Sequence, residues 1–131
     1  MTAMERSLKV SQHHVWVGIE DQHVFFGLTN YGQGELGRII SVELPDLGDK
    51  VERGEPFAEL ESNATAAELI APLSGTVIAV NAELEAHPSI INEDPYNEGW
   101  LIEVQLKDQS EVRSLMDMDE YYHFVFKPNS S

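Results

Sequence analysis

Apolar residues at Val15, Val17 and Ile19 alternate with other positions, break at Asp21-Gln22, and resume at Val24, Phe26 and Leu28. A period of two on either side of a short polar break predicts a β-hairpin, because successive strand side chains point to opposite faces. Thr29 then supplies an oxygen where a helix over 30–36 would need its N-cap, and Gly37 suits the left-handed conformation just past its end. From Arg38 to Leu44 the pattern predicts another strand, with Ile40, Val42 and Leu44 on one face, Ser41 and Glu43 on the other, and Pro45 stopping it.

The stretch PDLGDKVERGEPFAELES mixes glycine and acidic turn residues with apolar steps at Val51, Phe57 and Leu60, then runs into the small-residue patch SNATAA. Small residues there predict a tight, exposed tip between two strands, the second resuming at Leu69-Ile70. Pro72 to Gly75 turns the chain into a further strand ending at Val80. GRIISV from Gly37 and GTVIAV from Gly75 place apolar residues in the same steps. That echo reads either as a quasi-twofold pair of strand modules around the central hairpin or as a chance likeness. INEDPYNEGW holds too many turn formers for a regular element, and 101–107 alternates as the last clear strand. Towards the end, Ser110 is placed to cap a helix carrying Val112 and Leu115, and Asp117 with Glu120 has capping-box spacing.

A chain of 131 residues is the size of one domain. No apolar run approaches the ~18 residues of a membrane span, and the start MTAMERSLKV has neither a secretory nor a transit-peptide pattern, so a cytoplasmic protein is expected. Without cysteine there is no disulfide, thiol nucleophile or thiolate metal site. Eight basic residues face 23 acidic ones, a formal charge of −15 that excludes nucleic acid and anionic lipid as partners. The charge suits either a solvated, self-repelling surface or fast, salt-sensitive docking onto basic surfaces. His13 and His14 are adjacent and on a strand would point to opposite faces, while His23, His87 and His123 show no ligand spacing, so no metal site is expected. Ser74 sits in Leu-Ser-Gly, not in a nucleophile elbow, and reads as a turn serine. Glu59 and Glu61 fall on one strand face, where an acidic edge is a simpler reading than a hydrolytic pair.

ELESNATAAELIAPLSGTVIAVNAEL resembles the lipoyl hairpin of glycine cleavage H proteins, in which Glu-Ser-Val-Lys-Ala-Ala is followed by an apolar pair and Ala-Pro-Leu/Val-Ser-Gly. GLTNYGQGELGRI, VELPDLGDKVERGE, NEDPYNEGWL and EYYHF resemble further segments of that family in the same order, over roughly residues 13 to 126. The resemblance implies a mainly β, lipoyl/biotinyl-type barrel-sandwich hybrid with short flanking helices, as one domain over 1–131 with frayed tails at 1–12 and 127–131. It also implies a monomeric, non-catalytic carrier whose lysine-bound lipoate passes an aminomethyl group among glycine decarboxylase, an aminomethyltransferase and dihydrolipoyl dehydrogenase, after loading by lipoate-attaching enzymes.

By the same resemblance Ala64 occupies the lipoyl-lysine position, with Glu61 and Gly75 at the positions the attaching enzyme reads. Alanine has no amine with which to form the amide, so this chain is expected to stay unmodified and to carry no lipoate there. Lys9, Lys50, Lys107 and Lys127 are its only lysines. Ala64 fits either a replaced lysine or natural divergence. Two other roles remain open: an H-like lipoate-binding protein of a sulfur-oxidation or other redox pathway, and a non-carrier scaffold or regulator. Glu93, Asp94 and Tyr96 are candidates to line a groove for the arm, against the simpler reading of Asn-Glu-Asp-Pro as a turn and Trp100 as a core anchor.

Overall fold

The computed structural model describes residues 7–126. Strands β1 (Lys9–Val10), β2 (Val15–Glu20), β3 (His23–Leu28), β4 (Ile39–Glu43), β5 (Lys50–Val51), β6 (Pro56–Ser62), β7 (Ala66–Ile70), β8 (Gly75–Val80), β9 (Ile102–Leu106) and β10 (Met116–Asp117) pair antiparallel throughout. They form a seven-stranded sheet, β10-β1-β2-β3-β9-β8-β5, and a three-stranded sheet, β4-β6-β7. The fold is the expected β sandwich with short helices, and its hydrogen bonding gives two sheets and no continuous closed barrel among the described residues. One core joins them: Val17, Val24, Phe26 and Val104 of the larger sheet are buried with Ile39, Leu60 and Leu69 of the smaller. The rings of Phe26 and Phe57 meet edge to face at 5.5 Å across the gap.

Among the described residues the helices that follow the first hairpin are α1 (Asn30–Leu36), α2 (Glu83–Ala86), α3 (Ile90–Glu93) and α4 (Met118–Val125). α1 starts and stops as its sequence dictates. Thr29 Oγ1 accepts from Gly32 N–H at 3.0 Å, and Gly37 takes the left-handed φ of 95°. Ahead of α4 the capping box is complete: Glu120 N–H donates to Asp117 Oδ1 (2.8 Å) and Asp117 N–H to Glu120 Oε1 (3.0 Å).

Several expectations are corrected. Residues 1–6 and 127–131 lie outside the described residues, but the remainder of the proposed amino-terminal tail is ordered. Leu8 and Val10 are buried in a second core with Trp16, Met118 and Tyr121, and β1 is inserted between β2 and β10. Its partner β10 lies more than a hundred residues away, which no local pattern reveals. His13 and His14 occupy a turn, not a strand, and His14 has a left-handed φ of 71°. INEDPYNEGW opens with a single helical turn, α3, that buries Ile91. Over 109–114 the chain forms a 3₁₀ turn capped by Asp108, whose side chain accepts from Ser110 N–H at 2.9 Å, so Ser110 is the capped residue and not the cap.

The largest correction concerns β4. Ile40 is half exposed and Ile39 buried, because the pairing with β6 slips by one residue between Ile39 and Ser41. That slip is a β-bulge, with two residues on one strand opposite one on the other. Val42 is only partly buried but packs on the core, as does Leu44. A second slip lies in β8 between Val77 and Ala79, leaving Ile78 exposed beside buried Val77. Aligning GRIISV on GTVIAV puts Ile40 on Ile78 and Ile39 on Val77. The echo therefore extends to backbone geometry, although the two strands belong to different sheets.

Candidate functional site

The β6–β7 hairpin ends in a tip over 63–65 whose shape comes from one buried hydroxyl. Ser62 Oγ accepts from Ala64 N–H (3.1 Å) and Thr65 N–H (3.0 Å) and donates to Thr65 O (3.1 Å), while Ser62 N–H donates to Thr65 O at 2.7 Å. One donor and two acceptor sites are the whole capacity of a hydroxyl, so the turn is fully tied. Ala64 at its apex is exposed, as are its neighbours Asn63 and Thr65.

Glu61 lies on β6 just before the tip, exposed, accepting from Ser41 Oγ at 3.2 Å. Gly75 is elsewhere. It follows the far end of β7 and opens β8 in the other sheet, where it pairs with Val51 and Leu106. A Cβ built on Gly75 would stand 2.2 Å from the Gln105 carbonyl oxygen and 2.4 Å from Val104 Cγ1. Close approach of two backbones therefore demands glycine at this position whatever else reads it.

Beside the tip lies a groove of about 470 Å³ lined by Gln33, Gly34, Gly37, Arg38, Ser89, Asn92 and Glu93. Of the three candidate groove residues only Glu93 belongs to it. Asp94 closes its own loop, accepting from Glu98 N–H through Oδ2 at 3.2 Å and from Gly99 N–H through its carbonyl at 2.8 Å. Tyr96 lines a different groove with Trp16, Phe25 and Trp100, and its hydroxyl accepts from Asn30 N–H at 2.9 Å. Trp100 is half-buried with its ring edge to face on Phe25 at 5.4 Å, so it anchors packing as expected.

Carboxylates line up across the three-stranded sheet. Glu43 pairs with Glu59 and Glu59 with Glu68, a row of three carboxylates straight across β4, β6 and β7. Like charges directly opposite destabilise a sheet. A groove along this row is lined by Glu43, Asp46, Asp49, Lys50, Glu59 and Glu68 among others.

Ser74 has the turn role expected of it. Its N–H and Oγ donate to Glu111 Oε1 and Oε2 (2.8 and 3.1 Å), and its Oγ accepts from Arg53 N–H at 2.9 Å. Sequence reasoning missed Asn92, whose side-chain amide touches three residues far from it in the chain. It also missed a buried polar chain in which Tyr121 OH meets Thr29 Oγ1 at 2.8 Å and His14 Nδ1 at 2.7 Å. Burial pushes the Tyr121 phenol up to about 12, with the Thr29 contact opposing it. Burial likewise holds His14 below the ordinary histidine value, helped by the charge of neighbouring His13 and opposed by Glu35.

An amide-linked lipoyl arm does not fit the tip. Ala64 ends in a methyl group, Lys9 and Lys50 sit on β1 and β5 of the other sheet, and Lys107 follows β9. Among the described residues no group of three or more His, Asp or Glu side chains could hold a metal ion, and no helix is long and apolar enough to cross a membrane.

A glycine cleavage system H protein from Halalkalibacterium halodurans is 46% identical over 125 residues, covering 95% of this chain and 98% of that protein. One from Staphylococcus carnosus is 43% identical over 123 residues, covering 94% and 98%. The crystal structure of a glycine cleavage system H protein from Mycobacterium marinum superposes with a TM-score of 0.86 at 33% identity, covering 92% of this chain and 98% of that one. The family model described as glycine cleavage H-protein matches residues 8–127, and the chain therefore belongs to the glycine cleavage H-protein family.

Proposed function

We propose that this chain is the docking body of an H-protein carrier, a non-catalytic component of the glycine cleavage system, which as written presents its hairpin tip without a lipoyl arm. One observation carries the reading: the turn that displays residue 64 is tied by Ser62 and exposed over 63–65, while residue 64 itself offers no amine. Glu61 at the base of the tip supports recognition by a lipoate-attaching enzyme, and Gly75 contributes through the packing of β8 on β9. The partners expected from the family are glycine decarboxylase, the aminomethyltransferase and dihydrolipoyl dehydrogenase. The carboxylate row Glu43–Glu59–Glu68 suits docking on basic surfaces, and such association weakens as salt rises. A cytoplasmic monomer is the form in which the chain would meet them.

A second reading, a scaffold or regulator that occupies partner surfaces without transferring anything, is favoured by the same absent amine. Intact mass after incubation with a lipoate-attaching enzyme, ATP and lipoate separates the two. If Ala64→Lys gains one lipoyl group and the unaltered chain gains none, the hairpin is a competent carrier site silenced at one position. If neither gains mass, the carrier reading fails and the scaffold reading stands.

A further inference from the structure

We propose that Asn92 is a positioning residue for the hairpin tip, holding from one side the three-residue segment that the tip uses from the other. Its Oδ1 accepts from Ile39 N–H at 2.9 Å, and its Nδ2 donates to Gly37 O at 2.9 Å and Gln33 Oε1 at 2.7 Å. Both amide hydrogens and the carbonyl oxygen are engaged, so the side chain is locked in one orientation. Accepting from residue 39 and donating to residue 37 is what a neighbouring strand would do around Arg38. A single side chain on α3 thus stands in for a strand where the three-stranded sheet has none.

The opposite edge of that segment meets the tip. Arg38 O accepts from Asn63 N–H at 3.0 Å, and Ile39 registers with Ser62. The approach is close enough that a Cβ on Gly37 would come within 2.9 Å of Asn63 Oδ1. Successive backbone groups in extended chain alternate sides, so fixing Gly37 O and Ile39 N–H fixes the direction of Arg38 O. Asn92 also joins the segment to α1 through Gln33, across the groove that α1, the segment and α3 line beside the tip. Where residue 64 stands relative to α1 therefore depends on one amide. The role in presentation rests on the carrier reading; the structural role does not.

Two measurements test the proposal. In the unaltered chain, amide hydrogen exchange is followed by NMR for Asn63 and for the β2–β3 ladder. Asn92→Ala, or Asn92→Asp if alanine prevents folding, accelerates exchange at Asn63 about tenfold relative to the ladder. Exchange at Asn63 that is unchanged, or that rises only in step with the ladder, overturns the proposal. In the Ala64→Lys background, Asn92→Asp raises the KM of lipoate attachment several-fold with little change in kcat, whereas Gln33→Ala, which spares both backbone bonds, has a smaller effect. A KM that does not move in a chain that is modified overturns the role in presentation. An Ala64→Lys chain that is never modified refutes the carrier reading and with it that role, leaving the exchange result to decide the structural one.

Discussion

Gly75→Ala tests the packing reason for a glycine that the family resemblance connects with recognition. The added Cβ would lie 2.2 Å from Gln105 O, against the 3.0 Å that such contacts essentially never undercut, a shortfall of 0.8 Å. Gln105 O is backbone, so no side-chain rotation relieves the clash, and Gly75 registers with Leu106 on the same strand. Moving β8 off β9 by that amount stretches a hydrogen bond of about 2.9 Å to about 3.7 Å, beyond useful geometry. Losing one or two ladder bonds and straining the strand places the cost near 3 kcal/mol, the upper part of the range for overpacking. For a domain of this size that corresponds to a fall of about 10 °C in Tm. Thermal and urea unfolding followed by circular dichroism measure it. Gly34→Ala is the control: its Cβ meets nothing within 4 Å on α1, and it should raise stability by up to about 1 kcal/mol. A Gly75→Ala protein melting within 2 °C of the unaltered chain would falsify the steric account. Lipoylation of Ala64→Lys,Gly75→Ala well below its Tm then shows whether glycine is read directly or only needed for the fold.

Other consequences can be checked with ordinary variants. Tyr121→Phe removes the hydroxyl that joins α4 to Thr29 and His14 and should cost about 1–2 kcal/mol in urea unfolding, since its buried partners lose a bond. Because His14 is held below its ordinary value, the unfolded chain binds the proton more readily. Stability is full above about pH 6.5 and falls as pH drops from there to the lowered native value. His14→Asn, a residue that tolerates the left-handed backbone, should show a flatter Tm profile between pH 7 and 5, and parallel profiles would refute the assignment. Asp117→Ala opens the capping box of α4 and should cost about 1 kcal/mol, read from the urea midpoint at constant m.

What could be read from the chain alone follows the range of the interactions. The β2–β3 hairpin, the Thr29 cap and the Asp117–Glu120 box each lie within a few residues, and sequence spacing located all three. The exposed tip was equally legible, since small residues bounded by two strand patterns leave few alternatives. β1 and β10 escaped notice because two-residue strands have no measurable period. Asn92 escaped because its partners at 33, 37 and 39 are more than fifty residues away. The aromatic and acidic candidates 93, 94 and 96 are close in sequence, yet a turn of α3 followed by a tight loop sends them to separate places.

The paired bulges explain why a strict period of two misplaced Ile40, and they bear on curvature. With Ile40 set aside, β4 alternates without fault, Ile39 inward, Ser41 outward, Val42 inward, and the register with β6 is unbroken on either side. With Ile78 set aside, β8 keeps its register with β9 in the same way. Each isoleucine is thus one residue more than pairing requires, and the surplus length on one strand bends it towards its shorter neighbour. Excising both residues would leave every other cross-strand partner in place while flattening the two strands that curve around the shared core. Ile40 and Ile78 are in this sense a means of bending flat sheets into an enclosing surface.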